Sequence, residues 1–208
     1  MVMCRWVAGK YAMFPGSRLW YHSQHDHQLE SESLHVPISQ AFVYCPRCGH
    51  RHTQVGANPF RCSACEFVFF FSPACAVAGI VTNGDGQLLF LRRARDPGKG
   101  KLGLPGGFVD AGESAEMALE REMDEEVNLS PQSMDYLCSL PNTYVYRGIE
   151  LPVTDLFFVC KVPSFDGLQR QESEVASVHF CHATNDELDQ MAFPSNRRAL
   201  ELFLRRQG

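Results

Sequence analysis

Residues 107–129 read GFVDAGESAEMALEREMDEEVNL, and this stretch departs furthest from the composition of an ordinary globular domain. Seven acidic side chains and one basic side chain lie within the fourteen residues from Glu113 to Glu126. Like charges at this density repel one another unless a positive charge neutralises them. The stretch therefore predicts a bound cation, and the rest of the chain is interpreted around it.

The same stretch carries the signals of one amphipathic helix. Ser114 is a good N-cap before a run rich in Ala, Met, Leu and Glu, and Asn128 suits a left-handed stop after Val127. At about 100° per residue, one apolar stripe results. Its members are Ala115, Ala118, Leu119, Met123 and Val127.

Three glutamates do not lie where a solvated acidic face would place them. Glu122 and Glu126 fall inside the apolar stripe and Glu125 lies at its edge, whereas Asp124 lies opposite the stripe. Carboxylates turned toward an interior are costly unless they are paired or metal-bound, and hard divalent cations take such oxygen ligands. A solvated face is the alternative, but the positions of the glutamates favour a metal site.

The spacing of these residues resembles the signature of the Nudix hydrolases, G-x(5)-E-x(7)-R-E-U-x-E-E-x-G-U, where U is a bulky aliphatic residue. The matching positions are Gly107, Glu113, Arg121, Glu122, Met123, Glu125, Glu126 and Leu129. Asn128 stands where the family has glycine. Because Asn tolerates a positive φ best after Gly, we expect a small loss of stability there rather than loss of the site.

The resemblance implies an α+β fold, the Nudix fold, in which a mixed β-sheet is sandwiched between helices. It also implies a Mg²⁺- or Mn²⁺-dependent enzyme that cleaves the phosphoanhydride of a nucleoside diphosphate linked to another moiety and releases a nucleoside monophosphate. Glu122, Glu125 and Glu126 would be the metal carboxylates, and any one of them would be the general base when free of metal. Arg121 would orient a neighbouring glutamate, with Glu113 pairing back to it.

Residues outside the helix complete the predicted site. Relatives often place a further metal-binding glutamate before a late strand, so Glu174 is nominated, with a solvated loop acid as the alternative. Gly106 and Gly107 would let the backbone approach metal or phosphate. The loop 92–101, RRARDPGKGK, carries five positive charges and one negative charge. Arg93 is therefore a candidate for binding substrate phosphates, with a solvated connector as the alternative.

Two C-x-x-C turns with thirteen residues between them contain Cys45, Cys48, Cys62 and Cys65. This spacing is typical of a structural Zn²⁺ site with four thiolate ligands, and a redox pair is the alternative. A zinc ribbon directly before a Nudix domain resembles the NADH pyrophosphatase branch. That branch carries Ser-Gln-Pro-Trp after the signature segment, which is residues 107–129 here and is called the box below. In this chain, residues 139–142, SLPN, agree at two of four positions. The substrate therefore stays open among dinucleotides, ADP-ribose and nucleotide sugars.

The composition shifts predict three regions, a flexible N-terminal extension at 1–38, the zinc ribbon at 39–72 and the Nudix domain at 73–208. Residues 83–86, NGDG, predict a hairpin turn between the first two strands of the Nudix domain. The predicted strands are 74–81, 87–91, 136–146, 151–162 and 175–181, the later helices are 185–191 and 195–206, and the predicted core thiols are Cys75, Cys138 and Cys160.

The charge and hydropathy of the chain exclude several function classes. A net charge of −5 and a pI near 5.9 make nucleic acid an unexpected partner. No apolar run approaches the roughly 18 residues of a membrane span, and no secretory signal is recognisable. The cysteine pattern favours a reducing interior, so we expect a cytoplasmic protein.

The expected partner is a small-molecule nucleotide, and a homodimer is one possible assembly. Two rival functions stay open at this point. One is a pyrophosphohydrolase that acts on an RNA 5′ end held by the ribbon, and the other is a Nudix-fold regulator that binds a nucleotide without turnover.

Overall fold

The computed structural model describes residues 35–207. The predicted extension 1–38 lies outside this range except for its last four residues, and the predicted region boundaries stay predictions. In chain order the elements are β1 (Val36–Pro37), α1 (Ile38–Ala41), β2 (Phe60–Arg61), β3 (Val68–Phe69), β4 (Ala74–Thr82), β5 (Leu88–Arg93), β6 (Leu102–Gly103), α2 (Ala115–Val127), β7 (Ser133–Tyr146), β8 (Ile149–Lys161), β9 (Val175–Cys181), α3 (Asn185–Asp189) and α4 (Pro194–Gln207).

The main sheet is mixed, as the predicted fold class requires. Strand β4 pairs in parallel with β8 along its whole length, β8 pairs antiparallel with β7, and β5 pairs antiparallel with β9 and β6. The hairpin between β7 and β8 turns at Arg147 and Gly148, which both have positive φ, as a tight two-residue turn needs. The short strand β1 pairs in parallel with the first two residues of β8, Ile149 and Glu150.

The predicted hairpin between β4 and β5 is present as a turn but hardly as a pair of strands. The side chain of Asn83 accepts the backbone N–H groups of Asp85 and Gln87 at 3.1 and 2.9 Å. The two strands share only the pair Thr82 and Leu88. The edge of β4 that β5 would occupy is taken by a loop, because Val77 and Gly79 donate to backbone carbonyls within residues 105–107. This loop carries the predicted site glycines.

Helices cover both faces of the sheet, and the alternation of side chains along each strand explains how. On β4, Val77 and Val81 pack with Leu119 and the other apolar residues of α2. Ala78 and Ile80 point to the opposite face and pack with Leu200 and its neighbours in α3 and α4. The predicted sandwich of a mixed sheet between helices is therefore confirmed.

The ribbon forms a small core of its own around Phe42, Phe60 and Phe71, with the Phe42 and Phe71 rings 4.7 Å apart. Its two-stranded sheet joins β2 to β3. Of the single cysteines that were predicted as core thiols, Cys160 is fully buried and Cys138 is partly exposed. The prediction for Cys75 is wrong, because this residue lies near the start of β4, where the strand is not yet covered and its side chain is exposed.

Within residues 35–207, no helix combines the length and the hydrophobicity needed to cross a bilayer.

Candidate active site

Helix α2 forms as its sequence predicts. It begins after Ser114, whose side chain accepts the backbone N–H of Met117 at 3.2 Å. It ends at Val127. The next residue, Asn128, is the C-cap; it adopts the left-handed conformation with φ 53° and donates its backbone N–H to the carbonyl of Asp124. The apolar stripe faces the sheet, so the carboxylates beside that stripe are carried toward the interior.

Glu126 is the most deeply placed acid of this helix. Only 8% of the residue is exposed, and its Oε2 accepts the backbone N–H of Gly106 at 2.9 Å. Burial raises the pKa of Glu126 to about 8, against the lowering effect of the Gly106 hydrogen bond. The nearby charges of Glu122 and Glu174 raise this pKa further, whereas Arg93 lowers it. Burial is thus the main obstacle to the ionised form of Glu126, and the neighbouring carboxylates add to it; six carboxylates and three arginines line this site in all.

The other two predicted carboxylates are less enclosed. Burial raises the pKa of Glu122, although the guanidinium of Arg121 opposes this effect. The side chain of Glu125 is 54% exposed, which fits its predicted place at the edge of the apolar stripe.

Arg121 ties the box together with all of its donor nitrogens. Its Nε and Nη2 donate to the two carboxylate oxygens of Glu113 at 2.8 and 3.1 Å. Its Nη1 donates to Glu122 at 2.8 Å and to Glu125 at 3.3 Å, and its Nη2 also donates to the carbonyl of Phe108 at 3.1 Å. Both predicted contacts, the pairing with Glu113 and the contact that orients a glutamate, are therefore present.

The structure gives the two glycines of the loop a packing role. Gly106 has φ 144°, and a Cβ on it would lie 2.1 Å from the carbonyl oxygen of Val77. A Cβ on Gly107 would lie 2.3 Å from a carboxylate oxygen of Glu122. Gly106 thus needs glycine because the backbone of β4 approaches so closely, whereas a side chain at Gly107 would have to displace the Glu122 carboxylate. Direct contact of either glycine with substrate stays a prediction.

The loop 92–101 contributes two arginines to the site. The guanidinium of Arg93 lies 5.1 Å from the ring centroid of Phe193 and donates through Nε to the carbonyl of Pro97 at 2.7 Å. Arg95 forms an ion pair with Glu174. Glu174 lines the same cavity as the helix glutamates, and its nomination as a metal ligand stays a prediction. Arg95 was not predicted from the sequence, because nothing in the pattern separates it from its charged neighbours.

One cavity of about 360 Å³, called the central cavity below, collects these groups. It is lined by the box residues of α2, by Arg93, Arg95 and Glu174, and by a second set of residues that the sequence did not indicate. That second set comes from β7, β8 and the start of α4, and it comprises Asn142, Tyr144, Val153, Asp155, Phe193 and Asn196. Asn142 lies in the segment SLPN that was compared with Ser-Gln-Pro-Trp, although no role was assigned to it from the sequence. The others lie far from the acidic helix in the sequence and carry no local motif, so the sequence did not indicate them.

The four predicted zinc cysteines converge. Their sulfur atoms all lie within 4.8 Å of one another, and the distances Cys45–Cys65 and Cys48–Cys62 are both 3.7 Å. Tetrahedral bonds of about 2.3 Å to zinc place two sulfurs roughly 3.8 Å apart. Burial acts to raise the pKa of the Cys45 thiol, but backbone N–H groups of Cys48 and Arg47 outweigh it and lower this pKa to about 7. The backbone N–H of Phe67 acts to lower the pKa of Cys65, but burial and the neighbouring thiols outweigh it and raise this pKa to about 12. The fit of the cluster to a tetrahedral metal therefore rests on the distances between its sulfur atoms.

The glutamates are arranged differently. In the part of the chain that the structure describes, two groups of at least three metal-ligating side chains bring their ligand atoms within 4.8 Å, and the box glutamates are not among them. Arg121 holds Glu122 and Glu125, and Arg95 holds Glu174. The donor set, carboxylate oxygens around a buried excess of negative charge, nevertheless fits a hard divalent cation. The assignment of these residues as metal ligands stays a prediction.

Comparison with known proteins places this site in a family. Residues 73–203 match the NUDIX domain. The chain is 42% identical over 67 residues to the ADP-ribose pyrophosphatase of Methanocaldococcus jannaschii, which is 32% of this chain and 39% of that protein. It is 36% identical over 101 residues to the NAD-capped RNA hydrolase NudC of Pseudomonas fluorescens, which is 46% of this chain and 34% of that protein.

A solved structure supports the same placement. The NUDIX domain of Shewanella oneidensis NrtR, complexed with ADP ribose, is 25% identical, with a TM-score of 0.55 over 67% of this chain and 91% of that one. The chain spans only 39% to 66% of the length of the first curated relatives that it matches. Because the match to the NUDIX domain covers more than half of the sequence and the box geometry is present, the chain belongs to the Nudix family.

Proposed function

We propose that this protein is a Mg²⁺- or Mn²⁺-dependent pyrophosphohydrolase. Its substrate is a nucleoside diphosphate linked to a second moiety, of dinucleotide, ADP-ribose or nucleotide-sugar type, and a nucleoside monophosphate is released. The observation that carries the proposal is the central cavity, in which Glu122, Glu125 and Glu126 adjoin two arginines. The name of the Methanocaldococcus relative and the ligand of the NrtR domain both favour an ADP-ribose type of substrate.

A bound Mg²⁺ or Mn²⁺ would neutralise diphosphate charge and lower the pKa of a water molecule, so that the water can lose a proton and attack phosphorus near neutral pH. The residues that would hold it are Glu122, Glu125 and Glu126, with Glu174 released from its ion pair with Arg95. That arginine, together with Arg93, would then be placed to bind the substrate phosphates. A carboxylate among these that is not engaged as a ligand would take the proton of the attacking water.

Arg121 acts on the carboxylates rather than on the substrate. Its guanidinium is saturated by Glu113, Glu122, Glu125 and the Phe108 carbonyl. It therefore fixes the loop to the helix and sets the direction of the Glu122 carboxylate.

We also propose that Cys45, Cys48, Cys62 and Cys65 bind a structural Zn²⁺. With four thiolates around it, this ion has no open position for substrate, so it stabilises the ribbon and takes no part in the reaction.

The proposal is tested with a substrate panel containing ADP-ribose, NADH, FAD, diadenosine polyphosphates, nucleotide sugars and a capped RNA. Products are identified by mass after incubation with Mg²⁺ or Mn²⁺, and reactions with a chelator are the control. We expect a nucleoside monophosphate from a small nucleotide substrate and none after chelation.

Two outcomes would replace the proposal with one of its rivals. Cleavage of capped RNA alone, together with salt-dependent binding of single-stranded RNA, would identify an RNA 5′-end pyrophosphohydrolase. Binding of a nucleotide without any turnover would identify a regulator.

A further inference from the structure

Asp155 is a buried acid whose presence the proposed chemistry does not explain. It lies on β8, only 6% of the residue is exposed, and it lines the central cavity. Its Oδ2 accepts the hydroxyl of Ser195 at 2.6 Å. Within residues 35–207 it forms no ion pair with a lysine or arginine. The side chain of Asn142 also hydrogen-bonds to it. Both partners are neutral, and a buried carboxylate without a positive partner is costly.

The surroundings of Asp155 leave room for a ligand. Asp155 pairs in register with Ala76 of β4, and Ala76 and Ala78 line the same cavity. Farther along this face of β4, Ile80 fills the equivalent space in the core. The small side chains therefore keep the cavity open beside the carboxylate.

Two aromatic side chains border the same cavity on the side of Asp155 toward the turn between β7 and β8, where Tyr144 pairs with Leu151. The rings of Tyr144 and Phe193 lie 6.2 Å apart and are inclined by only 30°. Both rings line the cavity that contains Asp155. Aromatic faces bind planar groups well, and a buried carboxylate accepts N–H donors. A planar heterocycle with an amino group satisfies both features, whereas a sugar offers O–H donors but no planar group.

We propose that Asp155 determines which nucleobase the protein accepts, because its carboxylate takes a hydrogen bond from an amino group on the base. The inference rests on the proposed function to the extent that the central cavity binds the nucleotide. Ser195 and Asn142 are positioning residues, since the side chains of both hydrogen-bond to the carboxylate. A carboxylate has about four lone-pair positions, so acceptor capacity is left for the base.

A purely structural role is the competing explanation. Ser195 lies in the first turn of α4, where the partial positive charge of a helix N-terminus favours a carboxylate. In that case a change at Asp155 would alter the melting temperature but not the choice of base.

The test measures binding, so that absence of hydrolysis would count against the proposed function alone. The full chain is titrated with matched nucleoside monophosphates, AMP against purine riboside monophosphate and CMP against zebularine monophosphate, in which a hydrogen atom replaces the amino group of the base. We expect the wild type to bind the amino member of at least one pair about tenfold more tightly. The variant D155N keeps the shape and the acceptor for Ser195 but adds N–H donors, so this preference should vanish or reverse.

The exposed Asp135→Asn substitution on β7 is the matched control and should keep the wild-type preference. Ser195→Ala should reduce the preference without reversing it. Equal ratios in wild type and D155N, or a wild type that does not discriminate within either pair, would overturn the proposal. A lowered melting temperature of D155N with unchanged ratios would assign Asp155 to the support of α4 instead.

Discussion

The ribbon and the central cavity both collect metal-ligating side chains, but they do so by different means. In the ribbon, two short turns place four thiols within 4.8 Å of one another. In the cavity, three glutamates follow one helix, and Arg121 forms ion pairs with two of them, Glu122 and Glu125. A fourth glutamate, Glu174, comes from outside the helix and pairs with Arg95. A local turn can therefore gather ligands by itself, whereas a helix face needs neighbouring elements to complete a site.

The two turns of the ribbon are near copies of each other. Gly49 and Glu66 follow the second cysteine of each turn, and both have positive φ, 74° and 60°. Their N–H groups donate to Cys45 and Cys62 at 2.9 and 3.0 Å. The cavity is built differently, because its lining residues come from the helix α2, from several strands and from the loop 92–101.

Loss of the metal should have its largest effect on the ribbon. We expect Cys48→Ser to abolish zinc binding and to remove hydrogen-exchange protection from residues 42–71, because so small a core depends on the ion for its stability. Protection of α2 should persist. Elemental analysis and hydrogen exchange by mass spectrometry measure both effects.

The exposed Cys75 lies outside the cluster, so Cys75→Ser is the control and should retain about one zinc ion per chain. Full protection of the ribbon in a zinc-free Cys48→Ser protein would show that the ribbon folds without metal.

The cavity should respond in the opposite way, with activity lost and stability kept. Glu126→Gln should lower kcat at least about 100-fold because it removes a predicted ligand charge. Its free energy of unfolding should stay within about 1 kcal/mol of the wild type, since the amide can occupy the same buried place without a charge. Hydrolysis of the best panel substrate and thermal unfolding are the measurements.

Glu120→Gln changes an exposed acid of the same helix and is the matched control, with activity expected to be unchanged. Full activity of Glu126→Gln would refute the assignment of this residue.

The two neighbouring glycines of the loop separate stability from geometry within the cavity itself. Gly107→Ala forces the Glu122 carboxylate aside and should lower kcat about tenfold or more with little change in stability. Gly106→Ala meets backbone on β4 that cannot move aside, and it should reduce the free energy of unfolding by about 3 kcal/mol. The same loss of stability for both variants would contradict this division.

The smallest effects are expected at two residues other than glycine that have positive φ, Glu66 in the ribbon and Asn128 after α2. Glu66→Gly in the ribbon and Asn128→Gly after α2 should each raise stability by at most about 1 kcal/mol, because glycine has no Cβ to strain. We expect the larger gain at Glu66, since Asn tolerates this conformation better than Glu. Chemical denaturation checks both, and a larger gain at Asn128 would reverse the ranking.

Local patterns were sufficient wherever the determining interaction is local. The limits of α2, the burial of Glu126 and the convergence of the four cysteines follow from residue spacing alone. The segment that pairs with the free edge of β4 could not be predicted in this way. The turn at residues 83–86 predicts a hairpin and contains no information about the loop at 105–107, which takes that edge instead. The exposure of Cys75 was missed for the same reason, since an apolar run does not reveal where its covering helix stops.

By itself, the sequence determined the helix, its inward carboxylates, the four-thiol cluster and the family, because each depends on residues a few positions apart. Only the tertiary structure decided which groups share the cavity. Asp155, Tyr144 and Phe193 meet the box glutamates through strand pairing and helix packing across large separations in the chain. Such contacts are set by the free energy of burying the whole sheet between its helices, and no short stretch of sequence encodes that sum.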